Sequence, residues 1–302
     1  MTPTLPKSGA QTTARPPAAI ELSPEGVLAA AVPAPGQPPV YAFEPLPPGT
    51  ILPGIAEINL PAPEVVANAI RSALAQVAPR SRAVTLVVPD SVVRVFVLDY
   101  DSFPTKSEEA YPVLRVRLRK MVPFDVEHAG LSYQVLSSSS PEVRVLAAVL
   151  PGPVLAEYEG AVRAAGVEPG AVLPSTLAAQ ELVDNLEAAL VANMSSGSLT
   201  TTIANGQDLL LYRTLDLPQE SLPRMGEIQR SIAVAAAYFE DKLGAPPRTL
   251  HYTGILKVND FARTIADPTF NIVEWVQKPG GATTSLPQTS FAGVAGALAG
   301  AT

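Results

Sequence analysis

Few residues of this chain could act as catalytic groups. The only imidazoles are His128 and His251, which lie far apart in sequence and have no metal-ligand or triad spacing around them. Asp99 and Asp101 lie two residues apart near the end of a β-branched run, which is consistent with a carboxylate pair or with a charged strand corner. The serine-rich run 195–198 is consistent with a solvated turn or with a cradle for phosphate. No convincing catalytic cluster emerges, and phosphate binding is the chemistry that remains to be weighed.

The composition excludes several classes of protein. The chain contains no cysteine, so disulfides, thiol nucleophiles, iron–sulfur clusters and thiolate zinc sites are excluded. A formal net charge of −7 argues against nucleic-acid binding, because phosphate contacts need a basic surplus. No apolar run reaches the roughly 18 residues that span a bilayer, and residues 1–17 lack the pattern of a signal peptide. We therefore expect a cytoplasmic protein.

Apolar periodicity divides the chain into two similar halves. In the first half, a turn at 23–26 separates two apolar runs, and an amphipathic helix follows over 64–77. In the second half, Asn205-Gly206 marks a hairpin, and a long amphipathic helix follows. A further helix is predicted over 105–122, with a candidate capping box at Thr105–Glu108; Pro112 would either begin this helix or kink it. Another helix is predicted over 174–190. The repeated order of strands and helices predicts a duplicated α/β architecture with two lobes.

Phosphate could bind such an architecture in only one of the common ways. Neither a P-loop nor a dinucleotide fingerprint occurs in the sequence. The remaining pattern is that of the actin-like ATPases. In these proteins a tight hairpin in each half offers backbone N–H groups and small hydroxyls to phosphates, and an aspartate at the end of the first strand organises the metal.

A series of motifs resembles the type IV pilus assembly protein family PilM. The order and spacing of the motifs carry the resemblance, and they cover the chain from about residue 18 onward. The motifs are Val92–Pro104, Glu108–Arg115, Met121–Glu127, Leu131–Gln134, Leu210–Arg213, Glu227–Ser231 and Phe291–Leu298. The resemblance implies a duplicated two-lobed actin-like fold, related to the cell-division protein FtsA, with a small α/β subdomain inserted in the first lobe.

The resemblance also implies domain boundaries. Residues 1–17 are expected to form a disordered tail rich in proline and threonine, and 18–186 to form the first lobe. The inserted subdomain is expected at about 103–167. Residues 187–302 are expected to form the second lobe, with the last helix packing back on the first lobe.

The residues that match the family's nucleotide motifs depart from them. The first motif, D-[IL]-G, is Glu21-Leu22-Ser23 here, and the second is Asn193-Met194-Ser195, followed by Gly197. The adenosine-side glycine pair is replaced by Thr253-Gly254. Loss of both aspartates and of turn glycines removes negative charge and close backbone approach. These losses favour a site without a cofactor and argue against ATP turnover, although they leave the question of enzymatic activity open; ATP with magnesium would bind only if the altered site still functioned.

The function implied by the resemblance is that of a scaffold. It would sit under the inner membrane and bind the N-terminal cytoplasmic peptide of a PilN-like protein, touching the membrane only through that partner. The groove is expected near Val92–Phe103 and Leu131–Leu136, with Val95, Val97 and Phe103 as candidate contacts. The alternatives are a working actin-like ATPase of pilus assembly and the cytoplasmic part of a type II secretion protein, GspL. A GspL chain normally continues into a transmembrane helix, whereas this one is expected to end without one.

Overall fold

The computed structural model describes residues 15–34, 36–56, 58–139, 142–183, 187–206, 208–266, 269, 271–276 and 290–301. Most of the expected tail, residues 1–14, lies outside these ranges. Arg15, Pro16 and Pro17 lie inside them and contact the first lobe; the carbonyl of Pro17, for example, accepts a 3.1 Å hydrogen bond from the Val32 amide. Within the described ranges, every helix is too short or too polar to cross a bilayer.

The strands and helices alternate along the chain. The strands are β1 (Ala18–Ser23), β2 (Gly26–Ala31), β3 (Val40–Pro45), β4 (Ala83–Val88), β5 (Arg94–Tyr100), β6 (Gly130–Ser139), β7 (Glu142–Leu150), β8 (Glu168–Pro174), β9 (Ala188–Met194), β10 (Ser198–Asn205), β11 (Asp208–Asp216), β12 (Thr249–Gly254) and β13 (Asn271–Glu274). The helices are α1 (Pro63–Val77), α2 (Ser107–Leu118), α3 (Gly152–Ala164), α4 (Ser175–Ala179), α5 (Ser221–Leu243), α6 (Val258–Ile265) and α7 (Ala292–Ala299).

Two five-stranded sheets share one topology. The first has the order β3–β2–β1–β4–β8 and the second the order β11–β10–β9–β12–β13. In each sheet the first three strands in chain order are antiparallel and the last two run parallel to the first. The repeat expected from the order of elements is therefore present, and the chain has a duplicated two-lobed α/β fold.

A third, antiparallel sheet is inserted between β4 and α3. Its order is β5–β7–β6, and α2 packs on one of its faces. The insertion is expected at about 103–167 from the sequence. In the structure β5 already pairs with β7 along Arg94–Tyr100, and α3 leaves the insertion to pack against α1 of the first lobe. The three-stranded sheet consequently spans Arg94–Leu150.

The helices cover the two large sheets with apolar faces. Helix α1 buries Val66, Ile70, Ala73, Leu74 and Val77, whose spacing of three and four places them on one side. Helix α5 does the same for the second lobe with side chains such as Ile228, Ile232 and Phe239. The last helix, α7, contacts β1, β2, β4 and α4 of the first lobe.

Two local predictions about helices are wrong, one in the length of a helix and one in its capping. The helix predicted over 174–190 is only α4, followed by one 3₁₀ turn at Gln180–Leu182, and β9 already begins at Ala188. Ala189, Leu190 and Val191, at the end of this stretch, are instead buried in the second sheet as part of β9. The predicted capping box is absent too, because α2 has Lys106 at its N-cap and no side-chain capping bond.

Candidate functional site

The hairpin turns that follow β1 and β9 face each other across a cleft between the lobes. A small cavity of about 50 Å³ separates them, and Glu21, Ser23, Asn193 and Ser195 line it. These four predicted residues come together because β1 and β9 occupy equivalent places in the duplicated fold. Gly197, Thr253 and Gly254 do not line this cavity, although their neighbours Ser198 and Ile255 do.

The turn after β9 already uses the groups that a phosphate would need. The Ser195 hydroxyl accepts hydrogen bonds from the Gly197 amide at 3.3 Å and from the Ser198 amide at 3.0 Å. The Ser195 amide donates to the Ser198 carbonyl at 2.9 Å. A phosphate cradle depends on free backbone N–H groups. Here the Ser195 hydroxyl accepts hydrogen bonds from these N–H groups in place of a phosphate, so they are not free.

The residues predicted for the adenosine side, Thr253 and Gly254, also contact other parts of the protein. Gly254 pairs with Met194 in the sheet, and a β-carbon at Gly254 would overlap the Met194 backbone. The Thr253 hydroxyl contacts the Ser290 hydroxyl at 3.0 Å. Ser290 precedes α7, so the segment leading into the last helix meets the end of β12 here.

A buried polar network runs behind the cavity from one lobe to the other. Its members are Glu21, Asp90, Ser175, Thr176, Asn193 and Tyr212, all at most 8% exposed. Ser175 donates to Glu21 Oε1 at 2.6 Å, and the Asn193 amide group donates to Ser175 at 3.3 Å and to the Thr176 hydroxyl at 2.9 Å. The network thereby links β1 of the first sheet to β9 of the second.

Asp90 receives hydrogen bonds from both lobes. The Thr176 amide donates to Oδ1 at 2.9 Å, and the Thr176 hydroxyl donates to Oδ2. From the second lobe, the Tyr212 hydroxyl donates to Oδ1 at 2.8 Å. Burial raises the pKa of Asp90, and these hydrogen bonds work in the opposite direction by stabilising the carboxylate.

Glu21 is less well satisfied than Asp90. Its Oε2 atom is buried without a hydrogen-bond partner among the described residues. Burial raises the pKa of Glu21 to about 7, offset in part by the Ser175 hydroxyl and the nearby Val294 backbone. The Val294 amide does not reach Oε2 in ordinary hydrogen-bond geometry. A β-carbon at Gly293 would lie 2.8 Å from Oε2, so this oxygen is enclosed by α7.

These donors and acceptors do not fit a magnesium nucleotide in the way the motifs imply. Magnesium is held through exposed carboxylate oxygens and phosphate oxygens. The free oxygen of Glu21 lies against α7, position 193 is an amide, and the turn amides are bonded to Ser195. Among the described residues, no three acidic or histidine side chains form a metal-binding group.

Sequence reasoning missed Asp90, Ser175, Thr176 and Tyr212. A usable signal was present for the first three, because Asp90 follows β4 and Ser175 and Thr176 follow β8. β1, β4 and β8 are parallel, so their carboxyl ends meet at one edge, where α/β sheets place their polar sites. Tyr212 carried no such signal, since it lies in the middle of β11.

A second cavity separates the inserted sheet from both lobes. This groove has a volume of about 530 Å³ and is called the insertion groove below. Its lining from the inserted sheet is Ser132, Tyr133, Gln134, Leu136, Leu146 and Ala148; its lining from the two lobes includes Leu173, Leu177, Glu181, Ala204 and Leu209. Ser132 and Gln134 are exposed, whereas Leu136 and Ala148 are half-buried.

The three predicted partner contacts are divided between the two faces of the inserted sheet. Val95 and Val97 pair with Ala148 and Leu146, so they share the face that forms the insertion groove. Both pack against the core of the first lobe. Phe103 lies on the opposite side, within 5.0 Å of the Tyr100 ring and 5.6 Å of the Tyr133 ring, measured between centroids. Among the strands that line the groove, β6 carries the exposed side chains, Ser132 and Gln134.

The remaining candidate residues form ordinary surface interactions. Asp99 accepts a 3.2 Å hydrogen bond from Arg144, and His128 contacts Asp125 at 2.5 Å, with all four side chains at least partly exposed. His251 is half-buried in β12, which lowers its pKa, and it lies away from the cleft cavity. None of them joins the cleft network.

Comparison with solved structures identifies the fold. The chain is similar to a PilM–PilN type IV pilus biogenesis complex component, with a TM-score of 0.71, 19% identity and coverage of 94% of this chain and 96% of that one. It is also similar to the cytoplasmic domain of EpsL, an inner-membrane component of the type II secretion system of Vibrio cholerae, with a TM-score of 0.50, 16% identity and coverage of 87% and 89%.

A third similar structure is a Bacteroides thetaiotaomicron protein described as having an actin-like ATPase fold, with a TM-score of 0.50, 12% identity and coverage of 85% and 90%. No family model and no curated protein matches the sequence. The expected actin-like fold is confirmed. At these identities the similarity establishes the fold alone.

Proposed function

We propose that this chain is a PilM-like scaffold of the type IV pilus assembly platform at the inner membrane. It binds the N-terminal cytoplasmic peptide of a PilN-like protein and reaches the membrane through that partner, from the cytoplasm. The observation that carries this proposal is the fold similarity to a solved PilM–PilN complex over 94% of the chain. The geometry of the insertion groove supplies a physical reason that is independent of the similarity.

The insertion groove suits an extended peptide. β6 is an outer strand of the inserted sheet, so one of its edges pairs with no described strand. A peptide can add to such an edge through main-chain hydrogen bonds, while alternate side chains enter pockets on the sheet. Leu136, Leu146 and Ala148 supply apolar surface beside the exposed Ser132 and Gln134. The favoured ligand is a short apolar segment.

The candidate contacts act differently in this arrangement. Val95 and Val97 shape the floor of the groove from the neighbouring strand. Phe103 packs against the Tyr133 ring on the far face of the sheet, where Tyr133 pairs with Ala147. Loss of Phe103 should therefore weaken peptide binding by less than the roughly 2 kcal/mol expected of a direct contact, because it can act only through the position of β6.

The cleft favours a scaffold over an ATPase. The amides of Gly197 and Ser198 in the turn donate their hydrogen bonds to the Ser195 hydroxyl, and the unpaired oxygen of Glu21 lies against α7. Neither group is then available to a phosphate or to its magnesium ion. The role proposed here needs no nucleotide, and the two lobes serve to hold the inserted sheet. The type II secretion alternative remains tied to the weaker likeness to EpsL.

Calorimetry with synthetic peptides tests the proposal. The peptides are the cytoplasmic N-termini of a PilN-like protein and of an inner-membrane protein of a type II secretion system. Gln134→Arg places a long charged side chain in the groove and should weaken binding at least tenfold, because its charge must be desolvated. Ala233→Arg adds the same charge on the exposed side of α5 and should not change affinity.

Two outcomes would contradict the proposal. If the PilN-like peptide binds Gln134→Arg with full affinity, the groove is not its site. If only the secretion peptide binds, the chain serves the other machine. Circular dichroism of each variant establishes that it is folded before its affinity is compared.

A further inference from the structure

The N-terminal segment of the chain enters the first lobe at the insertion groove. Arg15 is itself part of the groove lining. Its Nη2 atom donates a 2.8 Å hydrogen bond to Glu181, which lines the same groove, and its guanidinium packs against Gly300. Pro16 packs against Gly170, and Pro17 accepts the Val32 amide. Residues 15–17 thus fix the place at which the segment 1–14 is attached to the folded protein.

We propose that residues 1–14 dock in the insertion groove and compete there with the partner peptide. The segment would act as a built-in competitor that keeps the groove covered until a partner displaces it. This inference rests on the proposed function for its regulatory part, because competition requires that a peptide bind the groove. Docking of the segment itself does not depend on that function.

The chemistry of the segment matches that of the groove. Its sequence, MTPTLPKSGAQTTA, carries one charged side chain, Lys7, and an apolar stretch at Pro3–Pro6. Prolines favour an extended conformation, which suits a long groove and reduces the entropy lost on docking. The lobes and the inserted sheet present leucines and alanines to it, together with the exposed side chains of Ser132 and Gln134. A highly charged tail would have been repelled by such a lining.

Length and attachment favour the contact further. Fourteen extended residues reach up to about 46 Å, at about 3.3 Å each. A segment tethered at the wall of a groove experiences an effective concentration in the millimolar range. Even a weak intrinsic affinity then keeps the groove occupied for much of the time. The apparent affinity of an external peptide is then its intrinsic affinity multiplied by the fraction of molecules whose groove is free.

Disulfide trapping in the full chain tests docking without any partner. Because the protein has no cysteine, a pair introduced by substitution is the only pair present. Thr4→Cys is combined with Gln134→Cys, whose position is exposed in the groove, or with Lys242→Cys on α5 as the matched control. Faster and more complete cross-linking to position 134 supports the proposal. Equal cross-linking at the two positions overturns it.

Affinity measurements test the competition. Removal of residues 1–14, which leaves Arg15 in place, should raise the affinity for the PilN-like peptide about three- to tenfold. Leu5→Ser in the full chain should give part of this increase, and Gln11→Ser should give none. Unchanged affinity after the deletion overturns the competition. If the peptide binds neither form, the proposed function fails, while the cross-linking still decides whether the segment docks.

Discussion

Tyr212 in the second lobe donates a 2.8 Å hydrogen bond to Asp90 in the first lobe, and both side chains are buried. The same carboxylate accepts hydrogen bonds from the backbone amide and the hydroxyl of Thr176, at the start of α4. Separation of the lobes would therefore strand a buried carboxylate and a buried phenol. Leaving such groups unpaired costs about 1–3 kcal/mol each, so this pair stabilises one arrangement of the two lobes.

Substitution of Asp90 should destabilise the protein strongly. Asp90→Asn keeps the size of the side chain but replaces one acceptor oxygen with an NH₂ group, which faces existing donors. We expect a loss of about 2–3 kcal/mol in the free energy of unfolding, measured by urea denaturation. Tyr212→Phe removes only one of the three donors and should cost about 1 kcal/mol. A smaller loss for Asp90→Asn than for Tyr212→Phe would contradict the network described here.

The pH dependence of stability should contain a contribution from Glu21. Burial raises its pKa from 4.5 to about 7, so the folded state holds the proton more tightly than the unfolded state does. The resulting stabilisation is complete below about pH 4.5 and is lost as the pH rises through about 7. Wild type should lose about 1 kcal/mol between pH 6 and pH 8 relative to Glu21→Gln, which cannot ionise.

Urea denaturation at several pH values provides this measurement. Asp90 is present in both proteins, so the difference between them isolates position 21. Glu240→Gln removes an exposed carboxyl on α5, which is not among the charges that shift Glu21, and controls for a general loss of negative charge. Parallel pH profiles for wild type and Glu21→Gln would show that burial does not shift this carboxyl.

Magnesium-ATP should not stabilise the protein against heat. The turn amides are bonded to the Ser195 hydroxyl, and Glu21 is enclosed by α7, so neither is available to a phosphate. A ligand at 100 times its dissociation constant contributes about 2.7 kcal/mol, which raises the melting temperature by several degrees. A thermal-shift series up to millimolar nucleotide is the measurement. A saturable rise with ATP, absent with magnesium alone, would favour the ATPase alternative instead.

The N-terminal residues should divide sharply in their effect on stability. Deletion of 1–14 removes only the docked segment, which contributes about 1 kcal/mol, and should lower the melting temperature by no more than about 2 °C. Deletion of 1–17 also removes the Arg15–Glu181 ion pair and the Pro17–Val32 hydrogen bond, and should lower it by about 2 °C or more beyond the shorter deletion. Differential scanning calorimetry of both truncations distinguishes the cases. If the shorter deletion is as damaging as the longer one, residues before Arg15 also stabilise the body.

The sequence predicts the architecture better than it predicts the site. The hairpins and helices follow from local patterns, such as the turn at 23–26 and the apolar spacing of α1, and these patterns repeat in both halves. The resemblance to PilM then selects the actin-like fold among duplicated α/β folds. It also brings Glu21 and Asn193 to one cleft, where the structure finds them.

What could not be predicted depends on contacts between distant segments. Asp90 and Tyr212 are 122 residues apart, and no spacing rule connects them. The capture of the turn amides by Ser195 is a matter of side-chain rotation. Phe103 was expected beside Val95, but alternation along a strand and the path of the chain after Tyr100 place it behind the sheet.

The position of α7 has a consequence for how the protein is made. This helix covers a face of the first sheet that includes Ala19, Leu28, Ala30 and Val87. A ribosome releases that face before the second lobe and releases α7 after it, so the nascent first lobe carries uncovered apolar surface throughout synthesis of the second. We expect chains truncated before residue 290 to bind a hydrophobic dye and to need chaperones more than the full chain. The order of synthesis thereby delays completion of the first lobe until the second lobe has been made.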